Sequence, residues 1–383
     1  MYVYVLFGIL SVLSILSVIF DDKRNRKIET IMLFLFLRFL AIQFPLGTDI
    51  EHYKFFFEQT PMNLLEAMTL KYSVIPNNKG FILLMWLIKN VINNFNVFIF
   101  IVKLLICTVI GYIVYKYSSN YIISMMIILG SGIAEVYMSN AFRQMLAMTV
   151  FLFAYYKFLL NDEYLKYYLC SILALSFHWM AAFIFVVPVV KMYYEKFKDN
   201  KIFSIFIPCI SAIVLYEIET FVIPNFVYLI PGRFQNYFIT NDFSLIGLLS
   251  RIAILLVVLS GFYHDDKSQV NNKEDFSVYL CFISFLIYVV FARSAIFSRV
   301  CDMISIIEIV LIPVLISNTL DKNIYRKLIT LILAIGVNSI CLFADVKFIA
   351  DNSLNNHDLK EYPLYFVWDE INYKELLKDY KYE

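Results

Sequence analysis

Charge is scarce in this 383-residue chain. Asp, Glu, Lys and Arg supply 16% of it, where about 25% is usual for a soluble domain. Apolar residues rise to 61% in compensation, more than a soluble globule of this length can bury. That shortage excludes a soluble enzyme, a disordered protein and a nucleic-acid binder. The formal net charge of +1 gives no reason to expect a polyanion partner. Other signals are missing too. The six cysteines (Cys107, Cys170, Cys209, Cys281, Cys301, Cys341) show no CxxC and no metal-ligand spacing, so they read as packing thiols without disulfides. The first apolar run starts at Met1 with no basic n-region and no cleavage site, and reads as a retained membrane span. There is no internal repeat, no low-complexity linker and no soluble domain.

Long apolar runs are what the chain has instead. A helix needs about 20 such residues to cross the hydrocarbon core. Twelve candidate spans follow: 2–20, 28–46, 95–114, 121–138, 143–160, 164–177, 179–190, 202–220, 244–262, 276–293, 300–318 and 328–344. Residues 80–92 form a shorter apolar segment suited to the interface or to a re-entrant turn. The expected fold is all-α, because an open sheet would leave backbone groups unpaired in lipid. A transmembrane domain over 1–344, with outer loops 47–79 and 221–243, would be followed by a polar, outward-facing tail over 345–383.

Lysine and arginine in short loops set orientation. Loops 21–27, 191–201, 264–275 and 319–327 are rich in lysine and fall on one side, which is expected to be cytoplasmic. Of the nine arginines, Arg24, Arg26 and Arg326 lie in those loops. Arg143, Arg233, Arg251, Arg293 and Arg299 fall at or near the opposite, outer face, and Arg38 lies nearer mid-membrane. An arginine beside lipid is costly and marks a pairing or a function. Its planar fork binds carboxylate and phosphate bidentately. Each of these residues either snorkels or pairs with a nearby acid, or they converge on a phosphorylated substrate. Glu135 is one acid placed to pair with Arg143.

The outer segment Gly47-Thr48-Asp49-Ile50-Glu51-His52-Tyr53 sets Asp49, His52 and Tyr53 at i, i+3 and i+4 of a helix beginning near Asp49. That helix is either a capped interfacial element, with Asp49 as N-cap, or the source of a general base. His178, in Phe177-His178-Trp179 at an outer turn, is either an interface histidine or another candidate base. No DxD or HExxH metal box stands at an outer mouth.

Several short elements occur in a telling order: Gly47-Thr48-Asp49 with Tyr53; Gly80-Phe81; Arg143-Gln144-Met145-Leu146-Ala147; Phe177-His178-Trp179; Arg299; and Tyr362-Pro363-Leu364-Tyr365-Phe366. In that order the chain resembles the EpsG-like, Wzy-type polymerases of bacterial surface polysaccharides. It departs from them in having no arginine just before Gly47 and no aromatic residue close after Arg299. The resemblance implies a GT-C-like membrane glycosyltransferase of the cytoplasmic membrane, working on the outer leaflet. Its donor and acceptor would both be glycans on undecaprenyl pyrophosphate, with O-antigen, capsule or exopolysaccharide as product. It would need no cofactor or metal, and a chain-length regulator protein would be a possible partner. Asp49, His52 and His178 would be its base candidates, and Arg143, Arg299, Arg251, Arg233 and Arg293 its pyrophosphate ligands. A lipid-linked oligosaccharide flippase would be expected to show internal repeats, which are absent. An O-antigen ligase would share the donor and differ in its acceptor.

Overall fold

Asparagines start several of the helices. Asn25 accepts from the backbone N–H groups of Lys27 and Ile28 and opens α2 (Arg26–Ile42). Asn94 accepts from Val97 N–H and opens α6 (Phe95–Tyr117). Asn120 accepts from Ile122 and Ile123, opens α7 (Tyr121–Gly130), and donates its own amide to Ser17 Oγ at 2.8 Å. These bonds satisfy first-turn donors that have no partner inside the helix. The third also ties α7 to α1 (Tyr2–Ile19) within a buried layer.

The computed structural model describes residues 2–21, 25–47, 49–69, 78–218, 220, 225, 245–262, 272–290, 295–318, 324–353 and 364–369. Among them the secondary structure is helical apart from one isolated bridge. Two compact units share the chain. The first holds Met1–Trp179 with Asn338–Glu383, and the second holds Met180–Val337.

In the first unit α2 packs on α6, α1 on α7, and α8 (Phe142–Lys157) on both α6 and α9 (Tyr164–Phe177). Two short helices, α3 (Ile50–Gln59) and α4 (Leu64–Thr69), precede α5 (Lys79–Val91). The second unit runs through α10 (Val187–Phe197), α11 (Ile207–Glu217), α12 (Leu245–Phe262), α13 (Asn272–Val290), α14 (Ala295–Ser305) and α15 (Glu308–Asn318). Its helices α11, α12 and α14 pack on α13. The last helix, α16 (Ile324–Ser353), crosses from the second unit into the first at Asn338. All six cysteines are free thiols, as expected.

By length and composition, three described helices suffice to cross a membrane: Tyr2–Ile19, Phe95–Tyr117 and Ile324–Asp351. The pair Arg299–Ser305 and Glu308–Ser317 would make a fourth, bent by 45°. Residues 300–318, expected as one span, are thus bent between Ser305 and Glu308. Residues 121–138 are broken too: α7 stops at Gly130, Gly132 takes φ +76°, and Ile133–Tyr137 continue as a π-turn. The positive φ suits glycine alone at low cost. A Cβ there would also stand 2.8 Å from Asp345 Oδ2. Shorter apolar helices occupy several other expected spans: Tyr121–Gly130, Tyr164–Phe177, Ile202–Glu217 and Gly247–Ser260.

The tail begins later than expected. Helix α16 runs nine residues past 344, because Val346, Ile349 and Ala350 continue its buried stripe. Beyond it, residues 364–369 return to the first unit. Tyr365 carbonyl accepts from Phe44 N–H at 2.7 Å, and Val367 N–H donates to Ile42 carbonyl at 2.9 Å. This makes an antiparallel bridge between Gln43 and Phe366.

Two buried lysines cap helix ends. Lys89 Nζ donates to the carbonyls of Phe57, Glu58 and Thr60 at 2.8, 2.7 and 2.8 Å, at the C-terminus of α3. Lys103 Nζ donates to Gln43 carbonyl at 2.6 Å, just past α2. An ammonium there satisfies carbonyls that the helix leaves open and suits the negative end of its dipole. Replacing Lys89 with methionine removes three hydrogen bonds at a largely buried helix end and is expected to cost about 1–3 kcal/mol. Thermal unfolding of the purified protein in detergent checks this; an unchanged midpoint would exclude the capping role.

Candidate functional site

The segment after α2 meets the segment before α8 through backbone. Gly47 N–H donates to Ser139 carbonyl at 2.9 Å, and Asp49 N–H donates to Asn140 Oδ1 at 2.8 Å. The approach is close enough that a Cβ on Gly47 would collide with Cα, Cβ and Oδ1 of Asn140. Glycine is therefore required at 47 by space. Gly47→Ala is expected to destabilise the protein by about 1–3 kcal/mol through overpacking. Activity should fall with it, which a melting curve and a turnover assay together measure.

Asp49 occupies the N-cap position of α3, as its place in the sequence suggests, yet its side chain does not cap. Its backbone is helical already (φ −77°, ψ −7°), which turns the carboxylate away from the first-turn N–H groups. The carboxylate faces the phenol of Tyr53 instead, at 3.5 Å. Tyr53 is the buried centre of the cluster. Its ring stacks on Phe142 at 5.4 Å and meets Phe81 at 5.5 Å. Burial, and then the neighbouring carboxylate of Asp49, push its phenol up to about 12, with Arg143 pulling in the opposite direction. Tyr53 thus stays a hydroxyl donor over the whole neutral range.

Arg143 stands in the first turn of α8, its guanidinium carbon 5.8 Å from the Tyr53 ring centroid. Two features mark it. Ala141, the N-cap residue, offers no side chain to the first-turn N–H groups. Nε and Nη1 of Arg143 are buried and make no hydrogen bond to the described residues. A cation at a helix N-terminus is opposed by the dipole. An anion seated there answers both the helix and the arginine. Glu135 is not that anion. It lies in the π-turn, almost fully buried, within electrostatic range of Lys103, Tyr2 and Tyr4. The wider turn directs it toward α6, so the expected Glu135–Arg143 pair does not form.

The other candidates stand as follows. His52 is half-buried, its ring stacked on Phe56 at 6.4 Å. His178 is buried at the C-cap of α9 with its ring against Trp179 at 6.2 Å. It connects to the cluster through α5: Phe81 touches Tyr53, and the adjacent Gly80 has no room for a Cβ beside Ser176.

In the second unit, Arg251 binds Asp302 and donates to Ser305 Oγ at 2.6 Å, its guanidinium 5.6 Å from the Tyr288 ring. Both terminal nitrogens are engaged, so Arg251 joins α12 to α14. Arg299 is exposed on α14. Arg233, Arg293, Thr48, Tyr362 and Pro363 lie outside the described residues, as do nearly all of loop 221–243 and the tail beyond 369.

Asn140, the clamp on the Asp49 backbone, was not singled out in the sequence. The one available signal was its place three residues before Arg143.

Comparison with known proteins gives one finding. A family model described as the EpsG family matches residues 28–363. No curated protein and no solved structure matches the chain.

Proposed function

Since the chain belongs to the EpsG family of polysaccharide polymerase-type membrane proteins, we propose that it joins lipid-linked oligosaccharide repeat units into a surface polysaccharide. The donor in this reading is a growing glycan on undecaprenyl pyrophosphate, and the acceptor is a repeat unit on a second one. The acceptor hydroxyl attacks the anomeric carbon of the donor and gives its proton to a base. The bond to the pyrophosphate breaks, and the polyprenyl pyrophosphate leaves with the electron pair. The observation that carries this reading is Arg143 at the uncapped start of α8, with two buried guanidinium nitrogens that meet no acceptor among the described residues. A leaving pyrophosphate fits that arrangement by charge and by geometry.

Asp49, half-buried at the start of α3, serves as base. Tyr53, held as a neutral phenol, donates toward the carboxylate and fixes its rotamer. His52 and His178 are the reserve candidates. Arg299 is exposed on α14 of the second unit. Twelve crossings with a GT-C-like fold, lysine loops on the cytoplasmic side and the site toward the outer leaflet complete the reading, with a chain-length regulator as partner.

The test is elongation in proteoliposomes from purified lipid-linked repeat units. Glycans of several units with release of polyprenyl pyrophosphate support the reading. Transfer of single units to another lipid would instead indicate a ligase, and lipid translocation without bond formation a flippase.

A further inference from the structure

Lys103 lies eight residues past the start of α6, about 12 Å along the axis at 1.5 Å per residue, in a helix long and apolar enough to cross a membrane. It is 1% exposed. An ammonium at that depth is costly and marks a function by default. Stability does not ask for it, since a buried ion pair exchanged for well-packed apolar groups is often neutral or stabilising. The partners of Lys103 come from three other elements of the first unit. Nζ donates to Gln43 carbonyl at 2.6 Å, just past α2. Gln43 Nε2 in turn donates to the phenol oxygen of Tyr2, in α1. Glu135, in the π-turn, lies within electrostatic range of both Lys103 and Tyr2. Gln43 and Glu135 are buried with the lysine.

Two stretches of chain leave this cluster, 43–49 and 135–143, and they meet again at the candidate site. There Gly47 N–H donates to Ser139 carbonyl, and Asp49 N–H donates to Asn140 Oδ1. The first stretch is extended at Gln43 (ψ 130°), and its Pro45 has no N–H to give. The tail bonds one edge of it, at Ile42 carbonyl and Phe44 N–H. The Gln43 carbonyl between them points to the opposite edge, and Lys103 is what meets it there. We propose that Lys103 is a positioning residue: by holding the Gln43 carbonyl it fixes the near end of the stretch that carries Asp49, and so sets Asp49 and Arg143 around their common neighbour Tyr53. Glu135 supplies the opposite charge and ties the second stretch to the same anchor. The role of Asp49 as base rests on the polymerase reading above, whereas the anchoring of the stretch does not.

The experiment uses the full chain in nanodiscs, with amide hydrogen exchange read over residues 44–52 and elongation kinetics beside it. Lys103→Met combined with Glu135→Gln removes both charges together, so no buried ion is left without its partner. The melting midpoint is expected to stay near that of the wild type. Exchange at Gly47 and Asp49 is nevertheless expected to quicken about tenfold, as a local opening would make it. With KM unchanged, kcat is expected to fall about 10- to 100-fold, the scale of loss when a catalytic group is misplaced by about 1 Å. Tyr2→Phe, which takes one oxygen from the same cluster, is expected to move both readouts the same way and less. Wild-type exchange over 44–52 in either variant that folds overturns the proposal. So does exchange that quickens equally in every helix, which marks a lysine needed for stability only. A wild-type chain that makes no glycan removes the polymerase reading alone, because the exchange comparison does not depend on turnover. Elongation by the wild type with unchanged exchange in the variants removes the positioning role alone.

Discussion

Arg143→Ala is expected to abolish long glycan chains while leaving the protein level unchanged. The residue is half-buried at the surface of α8, and Nε and Nη1 make no hydrogen bond to the described residues. Its loss removes the contact with the Tyr53 ring, a modest cost in stability beside the loss of charge. Catalysis should fall about 100- to 1,000-fold, the usual consequence of removing one group that stabilises developing negative charge. Arg143→Lys should recover part of the rate, because a lysine restores the charge and not the fork. The measurement is glycan chain length on a gel, beside an immunoblot for the protein. Wild-type chain lengths from Arg143→Ala would remove the arginine from the pyrophosphate site.

Asp49→Asn is the second large effect. The clamp from Asn140 is taken by the backbone N–H of Asp49, so the substitution leaves the fold of the segment intact. Only the carboxylate's basicity goes. The variant should still bind lipid-linked repeat units and lose turnover about 100- to 10,000-fold, the range for a missing general base. Full activity would transfer that role to His52 or His178. A binding assay run beside the elongation assay separates lost chemistry from lost structure.

Much of the helical framework was legible from apolar run length. Residues 2–20 and 95–114 closely anticipate α1 and α6, because a long run without polar interruption leaves the backbone no alternative to a helix in lipid. Hydropathy is blind to dihedral angles, however. It saw 121–138 as one span where Gly132 turns the chain, and 300–318 as one span where the axis bends between Ser305 and Glu308. It also ended the last helix at 344, where charged residues begin, although Val346, Ile349 and Ala350 carry the buried face onward.

At the candidate site the residue types were visible and the pairings were not. Asp49, Tyr53 and Arg143 were each legible, and the structure joins them. Asn140 was missed because its bond spans two segments far apart in sequence. Glu135 was given the wrong partner because a π-turn changes which way its side chain faces.

The bridge between Gln43 and Phe366 has a bearing on timing. Nearly the whole chain must be synthesised between its two halves. At about 5–20 residues per second that interval is some tens of seconds. Throughout it, the stretch leading to Asp49 lacks its bonds to Tyr365 and Val367. The stretch before α3 is therefore complete only once residues 364–369 have returned to Ile42 and Phe44, late in the synthesis of the chain.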